Sequence, residues 1–346
     1  MIFEELNNDD KKSLHSCLLV NRTRCITAMP ILWRDPYQYS MNNISKYLDL
    51  RLIEEIISFN HIKYTNVLNL KNKLLKLIIN KNIVFIHLSI SISRNISYQL
   101  QHIPGTEYCL SELESFHCYA GVNQNDLEAL ASICKSIKKF TFDNMHYCSD
   151  NSGIIKLIEV QQKLNNVNFI GDSYNRKDDK SFYKSIEKSL IKHVDTVQYL
   201  KISWTPVTRV LSFFVNLISL DIDSSYSNMA YWSNFENVTF SVLKILKVRR
   251  VPSNFLTTLS KSTTENLSEI CMHYDGIDSK IIFKTIYQKC LNLKYLQLSF
   301  VENNNLLIPE LENLLIYCKL LNRLTIEVMN DTFDTFNWDK LFMMLA

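Results

Sequence analysis

The chain has 346 residues, 47% of them apolar, and its 38 basic and 35 acidic side chains leave a formal net charge of +3. That length exceeds the size at which one compact core stops growing, so several modules or a repeat array are expected. So small a net charge excludes a global field drawing nucleic acid or an anionic membrane, and five glycines, with no GxGxxG or GxxxxGK[ST], leave little from which to build a phosphate-cradling loop.

The first residues, MIFEELNNDDKK, are acidic and carry no basic region ahead of a long apolar run, so they do not read as a secretory signal. Asn8, Asp9 and Asp10 offer caps for a helix in which Leu14, Cys17 and Leu18 share a face. Pro30 and Pro36 end the helical run near Trp33. Within SCLLVNRTRCITAMPILW, residues 16–33, the apolar side chains spread over more than one face, wider than the stripe of an isolated amphipathic helix. Something has to cover them: a later part of the chain or a partner. Residues 1–40 thus form a helical hairpin too small to be stable alone.

Residues 41–110 carry weaker signals. ISKYLDLRLIEEII, residues 44–57, places Leu48, Leu52 and Ile56 at four-residue steps and predicts a helix. NKNIVFIHLSI, residues 80–90, reads as a buried strand and a degenerate first repeat, and its apolar run is too short to span a bilayer. Pro-Gly punctuation in IPGTEY, residues 103–108, marks a boundary.

A repeat governs the remainder, residues 111–346. LESFHC at 113, IKKFTF at 137, LNNVNF at 164, VQYLKI at 197, LISLDI at 217, LKILKV at 243, LSEICM at 267, LKYLQL at 293 and LNRLTI at 321 share apolar residues at positions 1, 4 and 6. The starts lie about 26 residues apart on average, the length of a strand, a turn and a helix. Positions 4 and 6 alternate as strand residues do, and position 1 belongs to the chain leading into the strand. Between strands, Ile282, Ile286 and Cys290 fall on one helical stripe, as do Leu311, Leu314 and Cys318. Three buried side chains per unit cannot offset the entropy of ordering it, so units fold only as a stacked array. The reading is an α/β solenoid: a helical N-terminal module, then a curved array with parallel strands inside and helices outside.

Nine cysteines, an odd number without a CxxC pair, read as reduced thiols in a cytoplasmic or nuclear setting. Cys134, Cys290 and Cys318 each precede a position-1 residue by three and read as small buried side chains closing a helix, not as metal ligands. No GxSxG, no HExxH and no ordered set of Ser, His and acid is present, so no catalytic residue, metal site or cofactor is expected.

The repeats resemble a leucine-rich-repeat array of the irregular kind with a helical outer side. The family's ladder residue three past position 6 is replaced here by others, among them Gly121, Thr205 and Val251, so backbone groups there need other partners. IFEEL at 2–6, DDKKSLHSCLLVNR at 9–22 and PILW at 30–33 resemble the helices of an F-box. With ICKSIKKFTF at 133–142 and GIIKLIEVQQKLNNV at 153–167, the whole chain resembles the F-box/leucine-rich-repeat proteins, closest to the expanded F-box family of mycorrhizal fungi. This resemblance implies a non-catalytic subunit of a ubiquitin ligase that docks a Skp1-type adaptor, and through it a cullin. The implied contacts are Phe3, Leu6, Leu14, Leu18, Val20 and Trp33.

The target, an unidentified protein, would lie on the strand face opposite the core, where positions 3, 5 and 7 point. Tyr199, Lys201, Asp221, Asp223, Lys247, Arg249, His273, Tyr295 and Arg323 are the expected target contacts, since tyrosine and arginine enrich at binding hot spots. A repeat scaffold outside any ligase is the alternative. Nucleic acid is a weaker partner for Lys244, Lys247, Arg249 and Arg250, because the cluster is short and its neighbours are acidic. No membrane partner is expected.

Overall fold

The computed structural model describes residues 47–50, 73–76, 78–79, 83–90, 98–119, 121–143, 151–171, 180–224, 232, 238–252, 255, 266–274, 279–300, 308–328, 339 and 343. The F-box-like segment, with Phe3, Leu6, Leu14, Leu18, Val20 and Trp33, lies outside these residues. The chain divides into two compact units after Leu164, taken here one at a time.

The first unit contains strands β1 (Tyr47–Asp49), β2 (His87–Ile90), β3 (Ser115–Tyr119) and β4 (Lys139–Asp143). They pair in parallel in chain order, aligning Leu48 with Leu88, Leu88 with Phe116 and Phe116 with Phe140. Helices α1 (Thr106–Cys109), α2 (Gln124–Ile133) and α3 (Ser152–Glu159) run between or after the strands. Within the helix expected over 44–57, Tyr47–Asp49 is a strand instead, and residues 44–46 and 51–57 lie outside the described residues. A four-residue step fits both the strand period of two and the helical period of 3.6, so Leu48, Leu52 and Ile56 could not separate them. IPGTEY holds a helix start: Gly105 adopts the left-handed region (φ 94°), and the Thr106 hydroxyl donates to the Ile103 carbonyl at 2.8 Å. Strands β2 and β3, on either side of it, are paired.

The second unit contains β5 (Asn166–Phe169), β6 (Tyr199–Ile202), β7 (Ser219–Asp223), β8 (Ile245–Arg249), β9 (Glu269–Tyr274), β10 (Tyr295–Phe300) and β11 (Arg323–Val328). Helices α4 (Lys180–Leu190), α5 (Ser279–Lys289) and α6 (Ile308–Tyr317) connect some of them, and a short 3-10 turn, Val210–Phe213, replaces a helix between β6 and β7. Here too each strand pairs in parallel with the next in sequence. Parallel strands in chain order, each followed by a return segment, make the fold an α/β solenoid of leucine-rich-repeat type.

Strand geometry explains the sequence pattern. Every described strand of the array begins at repeat position 3, so positions 4 and 6 face the core and position 1 precedes the strand. In the repeat at 217, Leu217, Leu220 and Ile222 are all fully buried, and Leu243, Leu246 and Val248 follow them in register. The helical stripes face the same core: Ile282, Ile286 and Cys290 are buried, as are Leu311, Leu314 and Cys318. At β11 the packing thins, leaving Leu324 and Ile326 half-buried.

The backbone repeats as regularly as the side chains. At the junctions from β7 to β10 the position-2 carbonyl accepts from two successive N–H groups of the next repeat: Ile218 from Lys244 and Ile245, Lys244 from Ser268 and Glu269, Ser268 from Lys294 and Tyr295. This ladder satisfies the backbone groups at the strand entrances. Cys134, Cys290 and Cys318 are buried at the ends of α2, α5 and α6, as their spacing predicts. Burial pushes the thiols of Cys134 and Cys290 up to about 12 and that of Cys318 up to about 11.

Candidate functional site

The open face of the second unit is assembled by register. Because the strands are parallel and in step, odd-numbered repeat positions align into three rows. The first row runs Tyr199, Ser219, Ile245, Glu269, Tyr295, Arg323; the second runs Lys201, Asp221, Lys247, Cys271, Gln297, Thr325. The third aligns Asp223, Arg249, His273, Ser299 and Glu327. All nine residues expected to meet a target lie on this one face. Tyr199, Lys247, Arg249 and Arg323 are exposed, while Lys201, Asp221, Asp223, His273 and Tyr295 are half-buried.

Part of the charge on the face is matched from within. Lys201 Nζ lies 3.0 Å from Asp221 Oδ2, and Asp223 is held by the guanidinium of Arg250. Glu327 accepts from Gln297 Nε2 at 2.9 Å and from Ser299 Oγ at 2.7 Å. Tyr295 donates its hydroxyl to Gln297 Oε1 at 2.8 Å, and the Arg323 guanidinium sits over the Tyr295 ring, 5.6 Å from its centroid. Arg249 Nη2 stands 3.4 Å from His273 Nε2. Burial lowers the His273 pKa, and the positive charge of Arg249 lowers it further, which favours a neutral ring offering a lone pair to the guanidinium.

Three side chains depart from the simple alternation. Cys271 and Ser299 are on the open face by register yet buried. Burial raises the Cys271 thiol, with Lys247 pulling in the opposite direction. Arg250, at an even repeat position, would be expected to turn inward, but its left-handed backbone (φ 56°) carries it to Asp223. Nothing in the sequence around Arg250 signals that conformation, since left-handed backbone is usually flagged by glycine or asparagine.

The first unit presents its own open row, which the sequence did not single out. Tyr47, His87, Ser115 and Lys139 align, and beside them Asp49, Ser89, His117 and Thr141. His117 Nε2 lies 4.0 Å from Asp143 Oδ2, and its ring is 4.9 Å from that of Tyr119. Asp49 and Ser89 are fully buried. The alternation of LESFHC, extended back one strand, marks these positions once β2 is paired with β3.

Buried polar groups away from the face are structural. Glu187, on α4, is fully buried and accepts from Trp204 Nε1 at 2.8 Å, from the N–H groups of Val207 (2.9 Å) and Thr208 (2.8 Å), and from the Thr208 hydroxyl. Its pKa is pushed up by burial, and the hydrogen bonds from Thr208, Trp204 and Val207 pull it back. Among the described residues no group of three or more His, Cys, Asp or Glu side chains could hold a metal ion. No helix among them is long and apolar enough to cross a membrane.

No family model matches the chain, and no curated protein matches it. Solved structures similar to it include two of comparable length. One is the complex of Rad7 and Elc1 from yeast, at a TM-score of 0.43 and 14% identity, covering 95% of this chain and 93% of that one. The other is the leucine-rich-repeat-containing protein LegL7 from Legionella pneumophila, at a TM-score of 0.41 and 11% identity, covering 82% of this chain and 84% of that one.

Proposed function

We propose that this chain is the target-recognition subunit of a Skp1-cullin-F-box type ubiquitin ligase, acting in the cytoplasm or nucleus and catalysing nothing itself. The N-terminal segment docks a Skp1-type adaptor through Phe3, Leu6, Leu14, Leu18, Val20 and Trp33, and the open sheet face holds a protein target. The subunit works by proximity, keeping its target beside the ubiquitin-charged enzyme.

One observation carries the reading: an F-box-like run, IFEEL to PILW, precedes an array whose open face aligns tyrosine, arginine and mixed charge in register. Such a face suits a protein partner, because aromatic and arginine side chains concentrate binding energy while mixed charge selects among partners. The test is co-purification of the intact chain with a Skp1-type adaptor, with Leu18→Asp as the control. Capture of the adaptor by the wild type, lost in Leu18→Asp, is the expected result. Capture unaffected by the substitution rejects the docking surface, and no capture at all leaves a repeat scaffold outside any ligase.

A further inference from the structure

Among the described residues, the two cations at the centre of the open face have no carboxylate partner. Strand β8 is the middle strand of the seven described in the second unit, and Lys247 and Arg249 project from it, exposed, two residues apart. The nearest acids by register, Asp221 and Asp223, are engaged elsewhere, by Lys201 at 3.0 Å and by Arg250. Glu327 is turned toward Gln297 and Ser299. From β6 to the residue after β8, four cations (Lys201, Lys247, Arg249, Arg250) stand against two carboxylates (Asp221, Asp223), an excess of two positive charges on these three strands. Arg249 is steadied by His273 without gaining a neutralising charge.

We propose that this patch docks an extended acidic segment of the target protein, two of its carboxylates standing two residues apart and meeting Lys247 and Arg249. The spacing is a matter of strand geometry. Side chains at i and i+2 on one face of a strand are separated by roughly 6.5–7 Å, and an extended Glu-Xaa-Glu or Asp-Xaa-Asp segment has the same repeat. Ile245, one step earlier on the same face of β8, adds an apolar contact for a residue flanking the acids. A continuous polyanion fits less well, because Glu269 and Glu327, on strands beyond β8, set like charge against phosphates past the central pair. The proposal rests on reading this face as the target-binding one, and is independent of adaptor docking.

The experiment uses the purified intact chain with no adaptor present. Fluorescent peptides with a central Glu-Xaa-Glu, the matching Gln-Xaa-Gln and a scrambled acidic sequence are titrated against wild type, Lys247→Glu/Arg249→Glu, Lys247→Gln/Arg249→Gln and Lys244→Glu. The expected result is selective binding of the Glu-Xaa-Glu peptide, about tenfold or more weaker in the charge-reversed variant, intermediate in the neutral one and unchanged in Lys244→Glu. Both target side chains are exposed, so the variants should keep the wild-type circular dichroism and melting temperature, which are measured alongside. Equal binding of the two central peptides, equal loss in Lys244→Glu, or tighter binding of a single-stranded oligonucleotide than of any peptide overturns the proposal.

Discussion

Glu187 and Gln161 show how single polar side chains fix loops that apolar packing leaves undefined. Glu187→Gln keeps one acceptor oxygen and turns an amide toward N–H groups that accept nothing. The expected loss is about 1–3 kcal/mol, measured by urea denaturation. Because burial raises the Glu187 pKa above its ordinary 4.5, the folded chain holds that proton more tightly than the unfolded one. Its contribution is therefore fully present below pH 4.5 and declines as pH rises through the raised value, so the gap between wild type and Glu187→Gln should narrow over that range. Gln161 occupies the place that cysteine takes in three other repeats; its Oε1 accepts from Ile137 N–H at 2.9 Å, and its Nε2 donates to the carbonyls of Cys134 (2.9 Å) and Leu157 (2.8 Å). Gln161→Ala strands that buried N–H, and a loss of about 1–3 kcal/mol is expected in the same assay. The cysteines themselves should resist alkylation at pH 8 in the native chain and react only in denaturant, since burial holds Cys134 and Cys290 near 12 and Cys318 near 11. Mass spectrometry of iodoacetamide-treated protein reads this directly.

Between elements, close approach decides what propensity alone would get wrong. Gly153 lies in α3, where alanine would ordinarily favour a helix by about 1 kcal/mol. A Cβ there would meet the Gln124 carbonyl oxygen at 2.5 Å and Leu127 Cβ at 2.8 Å on the packed partner α2. Gly153 N–H also donates to Gln124 Oε1 at 2.9 Å. Backbone cannot step aside as a flexible side chain can, so Gly153→Ala should destabilise, by about 1–3 kcal/mol, despite its better propensity. A lower melting temperature checks the sign; a rise would mean that α2 and α3 separate easily.

Over the molecule as a whole, a repeat array has stability that is local by construction, each unit leaning on its neighbours. Leu246 is buried between Leu220 and Ile270 on adjoining strands. Leu246→Ala should cost about 2–5 kcal/mol, the range for deleting buried methyl groups. Hydrogen exchange should show the loss of protection concentrated in β7, β8 and β9, with β11 much less affected. Loss spread evenly over the second unit would mean that it unfolds as a single cooperative block.

The sequence alone determined the period, the strand positions and the identity of the buried face, because alternation and helical spacing are local consequences of backbone geometry. In the second unit it also determined which strand side chains share the open face, since a parallel register between successive repeats leaves little freedom once the strands are located. Its reading of 44–57 erred where the spacing was compatible with two periods, and only pairing with β2 made Leu48 a strand residue. Tertiary structure alone decided which charges on the open face are matched. Lys201 and Arg250 reach Asp221 and Asp223 across strands, one of them through a left-handed backbone, and so leave Lys247 and Arg249 uncompensated. Ion pairing depends on where side-chain ends meet in space, and local periodicity does not specify that distance.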